Sequence, residues 1–446
     1  MKKILVAILL TTMISGALFA KGSRESSSSS SVKSTTPVEI SFWHIFGDAR
    51  GQWIQDRVDE FNASQSKYHV TQENKGSYRD TLQAATLAYR QGSAPTLVHI
   101  AEAGSQQAYD SNIFMPVSNV GNFDTSDYIE PVLNYYTING KVNSIPFNSS
   151  SPVLYINTDM LVQAGYDRSW TPNTYSDLIE SLKKAKAAGV ENAKYTDCMH
   201  AWFFEEMTAE QGGLMYNNEN GRKGRATEAL LGGEEGIKVA KFYKELADNG
   251  LYAWTGKLED WSGSDNIFTN KKAMYHITST GDINVISEGA KAAGFNLNVG
   301  MLPIPDGSKR NGTVIGGGSI WLTKGHSQEE MEGARDFILY MTNTKNMVSW
   351  HKLSGYYPVR ISSVKELEKE GWFDGGSLQT VAFNQLMNTI PNSATAGGLG
   401  GTVYDNRTYI EQALVKIIGG TDVQSAMNEA RVLSNAKLKE YNANFK

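Results

Sequence analysis

The chain has 446 residues, with 42 lysines and arginines against 47 aspartates and glutamates, a formal charge of -5, and 40% hydrophobic and 10% aromatic residues. That length suits two or three domains of roughly 150 residues with sizeable cores, and the slight acidic excess lacks the positive charge that a nucleic-acid backbone requires of its partner. A single cysteine, Cys198, rules out an intrachain disulfide and any multi-cysteine metal centre.

Lys2 and Lys3 precede an apolar run over residues 4–10, followed by the small residues Ser15, Gly16, Ala17 and Ala20. This basic, apolar, small-residue order predicts a secretory signal peptide over residues 1–20, with cleavage after Ala17 or Ala20. Residues 21–37 contain six consecutive serines, Ser26 to Ser31, and read as a flexible tether. The folded part is expected from Val38 onward, in the periplasm.

Residues 38–44 (VEISFWH) predict a strand, and the following segment places Trp53, Ile54, Val58 and Phe61 on one helical face. Strands are expected at 69–73 and 97–101, with a helix at 78–89 between them, the alternation of an α/β fold. Asn139-Gly140 predicts a tight hairpin, since both residues tolerate positive φ. Thr174 is the expected N-cap of a helix ending before Gly189, with Asp177 in its first turn. Ser327 and Glu330 predict a capping box, and Met331, Ala334, Phe337, Ile338 and Met341 the buried stripe behind it.

Two stretches read as crossings between lobes. Residues 146–152 (PFNSSSP) precede a strand at 153–157, and the turn-rich residues 303–313 (PIPDGSKRNGT) separate strands at 298–302 and 314–322. Two lobes follow, 38–148 with 306–346 and 151–302 with 350–446, and a cleft between them suits ligand capture.

Catalytic signatures are absent: there is no Walker A, G-x-S-x-G, H-E-x-x-H or EF-hand pattern. The seven histidines (44, 69, 99, 200, 276, 326 and 351) never recur at helical spacing, so neither a metal nor a cofactor is expected. Glu205 and Glu206 near His200 invite comparison with a glycosidase acid and base, but neighbours on a helix point about 100° apart, and a solvated face is the better reading. Gly316, Gly317 and Gly318 follow a strand; a tight turn or close strand packing is favoured over a phosphate cradle.

The segments FWH (42–44), NKGSY (74–78), GSAPTLVHIAEAG (92–104), PFNSSSPVLYIN (146–157), VIGGGSIWL (314–322) and WHKLSGYYPV (350–359) together resemble the extracytoplasmic solute-binding proteins of ABC importers, the carbohydrate-uptake group, and within it the glycerol-3-phosphate-binding branch. The resemblance implies a two-lobed α/β periplasmic-binding-protein fold of type II, each lobe a mainly parallel sheet flanked by helices, closing about a hinge. It also implies a monomer that delivers a small polyol, sugar or glycerophosphate-type ligand to permease transmembrane subunits. The ligand residues implied are Tyr78, Glu102, Ser150, Trp202, Ser279, Gly317 and Tyr356. Their carboxylate, hydroxyls, amide and aromatic faces suit a hydroxylated solute.

Two departures stand out. Leu399 occupies the position of the family's phosphate-binding arginine, and Met199 that of a second tryptophan. Loss of a charge-assisted hydrogen bond costs roughly 1.5–3 kcal/mol, which favours a neutral polyol or sugar, or a bulkier glycerophosphodiester using space opened at Met199. Arg407 compensates only if the glycine-rich segment is rearranged. The rival functions are a secreted glycoside hydrolase and a surface polysaccharide-binding module.

Overall fold

The computed structural model describes residues 36–121, 123–374 and 377–445; the expected signal peptide and the serine-rich tether up to residue 35 lie outside them. Among the described residues thirteen strands occur in chain order: β1 (Val38–His44), β2 (Tyr68–Asn74), β3 (Leu97–Ala101), β4 (Phe114–Met115), β5 (Thr137–Ile138), β6 (Lys141–Val142), β7 (Ile145–Ser150), β8 (Pro152–Asn157), β9 (Tyr195–Thr196), β10 (Tyr252–Ala253), β11 (Tyr275–Ser279), β12 (Leu297–Gly300) and β13 (Gly316–Thr323). The first sheet has the order β2-β1-β3-β13-β4, with β7 also paired to β13; the second runs β10-β9-β11-β8-β12. Both belong to the compact unit that begins at Pro37.

β1 lies parallel to β2 and β3, and β9 lies parallel to β10 and β11. The strands that carry the chain between sheets run the other way: β13 is antiparallel to β3, β4 and β7, and β8 to β11 and β12. Returning strands of this kind make each sheet mixed.

The local signals act as the chemistry dictates. Thr174 and Asp177 form one reciprocal capping box and Ser327 with Glu330 another. Asn139 and Gly140 take φ of 52° and 72° between β5 and β6. The stripe from Met331 to Met341 is buried.

Both crossings join one sheet to the other, but the first differs in form. Residues 145–150 are themselves β7, and only Ser151 separates that strand from β8. Its polar side chains are accommodated by partners: Asn148 Oδ1 accepts from His99 Nε2 at 2.7 Å, and Asn148 Nδ2 donates to the Tyr78 hydroxyl at 3.0 Å. Burial pushes His99 down to about 3, so its ring is neutral and Nε2 carries the proton that Asn148 accepts. The second crossing, residues 301–315, carries the chain from β12 to β13.

The three glycines form no turn; they open β13. Gly317 has φ +106°, and a Cβ there would fall on the Asn148 carbonyl oxygen. A Cβ at Gly316 would lie 2.5 Å from Trp202 and one at Gly318 2.5 Å from His99, so close packing on both sides excludes side chains.

Beneath this edge lies an aromatic block. Trp350, on the helix Thr344–Ser354, stacks on Phe147 with ring centroids 5.0 Å apart and lies 4.9 Å from Trp53. Tyr356 lies parallel to it at 5.9 Å. Among the described residues no helix is long and apolar enough to cross a membrane.

Candidate ligand-binding site

β3 and β7 end, and the antiparallel β13 begins, at the same edge of the first sheet, where Gly318 pairs with Ala101 and Gly316 with Ser150. A cavity of about 690 Å³ opens there, its walls drawn from both sheets. Strand ends leave backbone and side-chain groups free to meet a ligand, which is why α/β folds bind at such edges.

All seven residues that the resemblance singled out line this cavity. Tyr78 opens the helix Tyr78–Arg90 just after the N-cap Ser77, and Glu102 follows β3 directly. Ser150 ends β7 and Gly317 lies on β13. Ser279 comes from the second sheet, at the end of β11, and Trp202 from the first turn of the helix Ala201–Ala209. Tyr356 follows Gly355, whose φ of 77° ends the preceding helix. The wall also includes Arg50, Arg79, His200, Glu259, Trp261, Asp282, Tyr404 and Arg407, which sequence reasoning did not assign to the ligand.

Arg407, on the helix Val403–Ile418, organises the floor. Its Nε and Nη2 donate to the two Glu205 oxygens at 2.9 and 2.7 Å, and Nη2 also donates to Glu102 Oε1 at 2.8 Å. The three side chains are 10%, 16% and 6% exposed. Burial opposes the charge on Arg407, yet Glu205 and Glu102 outweigh it and hold the guanidinium protonated. Burial raises the Glu102 carboxyl above its usual range, and Arg407 pulls it part of the way back.

The reading of Glu205 and Glu206 as a solvated face is therefore corrected. Glu205 is bound to Arg407, and Glu206 is fully buried, accepting from Thr313 Oγ1 at 2.6 Å and the Val314 amide at 3.0 Å. One helical turn on, Glu210 takes Arg310 at 2.9 Å, so this helix grips the second crossing. The signal was present in the sequence: AWFFEEMTA is apolar all round its acidic pair, the mark of a helix buried on every side.

The departures also resolve. Leu399 does not face the cavity; it packs in an apolar cluster with Leu82, Ile100, Ala108 and Trp321. The glycine-rich loop before it is held by Arg222, which donates to the carbonyls of Gly397 and Tyr135 at 3.0 Å each and to that of Ala396. Met199 opens no space in the cavity: it is fully buried in the second core, with φ 52° and its amide on Asp197 Oδ1 at 2.9 Å. Cys198 beside it is buried, and burial raises its thiol pKa.

One grouping among the described residues could hold a metal ion: His200, Glu259 and Glu411 bring donor atoms within 4.8 Å of one another from three separate segments. Glu411 accepts the Ala201 amide at 3.0 Å, and burial pushes its carboxyl up from 4.5 to about 7. The native state therefore holds a proton there that the unfolded chain releases above pH 4.5. That stabilisation is complete below pH 4.5 and is lost as pH rises through 7. Glu411→Gln is expected to lessen the fall in melting temperature between pH 5 and pH 8, read by calorimetry against the unsubstituted protein.

Two sheets joined by two crossings of the chain, with a cavity walled from both, define a ligand-capture fold. The chain belongs to the bacterial extracellular solute-binding protein family, whose pattern matches residues 56–374; it works outside the cytoplasmic membrane. It is 27% identical over 410 residues to the sn-glycerol-3-phosphate-binding periplasmic protein UgpB of Brucella abortus (strain 2308), covering 90% of this chain and 93% of that one. Among solved structures it is similar to UgpB from Mycobacterium tuberculosis in complex with glycerophosphocholine, with a TM-score of 0.75 and 20% identity over 90% of this chain and 99% of that chain. It is also similar to the cyclic alpha-maltosyl-1,6-maltose binding protein from Arthrobacter globiformis, with a TM-score of 0.74 and 18% identity over 91% of this chain and 100% of the other.

Proposed function

We propose that the protein captures a small hydroxylated solute in this cavity and delivers it, unaltered, to the transmembrane subunits of an ABC importer. The lobes 38–148 with 306–346 and 151–302 with 350–446 close about the ligand, a hinge motion driven by the ligand's greater affinity for the closed state. One observation carries the reading: Tyr78, Glu102, Ser150, Trp202, Ser279, Gly317 and Tyr356, scattered along the chain, share a single cavity. Glu102 accepts hydroxyl protons, the serines donate and accept, and Tyr78, Trp202 and Tyr356 pack on the carbon skeleton. The relatives' names extend the candidates from sugars and polyols to glycerol-3-phosphate and glycerophosphodiesters.

A thermal-shift screen over those four classes tests the reading. A ligand at 100 times its dissociation constant adds about 2.7 kcal/mol to stability, and Ser150→Ala and Tyr356→Phe should each weaken the best ligand. Unchanged affinity in both variants removes this site. The carboxylates of Glu102, Glu259 and Asp282 on the wall keep a hydrolase in view; hydrolysis of aryl glycosides that disappears in Glu102→Gln would replace capture with catalysis.

A further inference from the structure

The relatives named for glycerol-3-phosphate raise a question that the charges around this cavity answer. At the floor, one guanidinium serves two carboxylates through its Nε and Nη2 groups, so among the described residues Arg407 Nη1 and Glu102 Oε2 take no part in the ion pairs. Leu399, where a phosphate-binding cation would be expected, is buried away from the cavity. Of the other wall arginines, Arg50 is committed to the carbonyls of Gly281 and Ser354 and lies 4.0 Å from Asp282. Arg79 is exposed at the rim, its guanidinium 4.8 Å from the centre of the Tyr404 ring. The Trp202 indole N–H beside the floor is buried without an acceptor. A phosphate entering here would meet Glu102 at the very guanidinium it sought, with Glu205 bound to that guanidinium as well, whereas a pair of adjacent hydroxyls would find a carboxylate and a guanidinium joined at 2.8 Å.

Resting on the capture reading above, we infer that the Glu102–Arg407–Glu205 triad is the specificity-determining element of the cavity, selecting an uncharged vicinal diol and rejecting phosphate monoesters. Glu102 accepts from one hydroxyl while Arg407 Nη1 donates to its neighbour; Glu205 keeps the guanidinium neutralised and oriented. Buried ion pairs of this geometry reject an added like charge more strongly than surface pairs, because water screens them less.

Isothermal titration of the full chain with glycerol, glucose, maltose and maltotriose, against glycerol-3-phosphate, glycerophosphocholine and inorganic phosphate, reads the inference. At least one neutral probe is expected to bind 100-fold or more tightly than glycerol-3-phosphate, with affinity unmoved between 20 mM and 500 mM salt. Glu205→Gln, which removes one negative charge and keeps the shape, is expected to narrow that ratio at least tenfold. Should that variant fail to fold, the ratio and salt dependence of the unsubstituted protein still decide. Glycerol-3-phosphate binding more tightly than every neutral probe overturns the inference, and its loss in Arg79→Ala would move recognition to the rim. A ratio unchanged in a folded Glu205→Gln protein also overturns it. Binding of some probe that ignores both Ser150→Ala and Tyr356→Phe instead defeats the capture site, and the triad's role with it.

Discussion

Arg407→Met is expected to lower the unfolding free energy by about 3–5 kcal/mol and to abolish solute capture, because it leaves Glu102 and Glu205 buried with no cation between them. The loss comes from stranding two charges, not from the worth of the pair itself. Adding Glu102→Gln and Glu205→Gln to the variant should therefore recover much of the stability while leaving capture lost. Lowering the pH should rescue the single variant in part, since burial already favours the protonated form of Glu102; the recovery appears as pH falls. Arg407→Lys should fare little better than methionine, for an ammonium cannot satisfy Glu205 through two parallel N–H bonds and reach Glu102 as well. Urea denaturation at pH 5 and pH 8 measures all three variants against the unsubstituted protein. A methionine variant as stable as its parent would mean that the two carboxylates are not held in the dry environment seen here.

Trp350→Ala is expected to cost about 3–5 kcal/mol, the range for deleting a large buried aromatic side chain. Trp350 is fully buried and touches four rings: Phe46, Trp53, Phe147 and Tyr356. The void would open directly behind Tyr356, whose ring lies within 3° of parallel to the indole. Ligand affinity should drop too, although Trp350 does not line the cavity, and Trp350→Phe should restore part of both losses. Stability that falls while affinity stays fixed would show that Tyr356 holds its position without this support.

The elements that could be read from the sequence are those whose causes are local. Thr174 and Ser327 cap their helices with partners three residues away, and Asn139-Gly140 turns its hairpin alone. Strand identity in β1 and β3 follows from β-branched and aromatic runs. The seven cavity residues were legible only through whole motifs that carried them, since nothing about Ser150 or Ser279 taken singly marks a ligand partner. What escaped was long-range pairing. Glu205 reads as a solvated charge until Arg407, 202 residues away, is beside it. PFNSSSP reads only as a polar crossing between lobes until His99, Tyr78 and Tyr357 satisfy its polar groups and let it run as a strand. The glycines of β13 left a tight turn and close strand packing both open, because what decides for packing, the bulk of Trp202, Asn148 and His99 on either side, lies on other segments.

The position of β13 bears on the life of the chain before it works. This strand lies between β3 and β7 in the first sheet, yet it begins at Gly316, after every strand of the second sheet has been made. The first sheet thus cannot complete its centre during synthesis until most of the polypeptide exists, and pairing over so long a separation is slow. A chain bound for the far side of a membrane gains from that delay, because it remains threadable through a translocation channel until its late strand arrives.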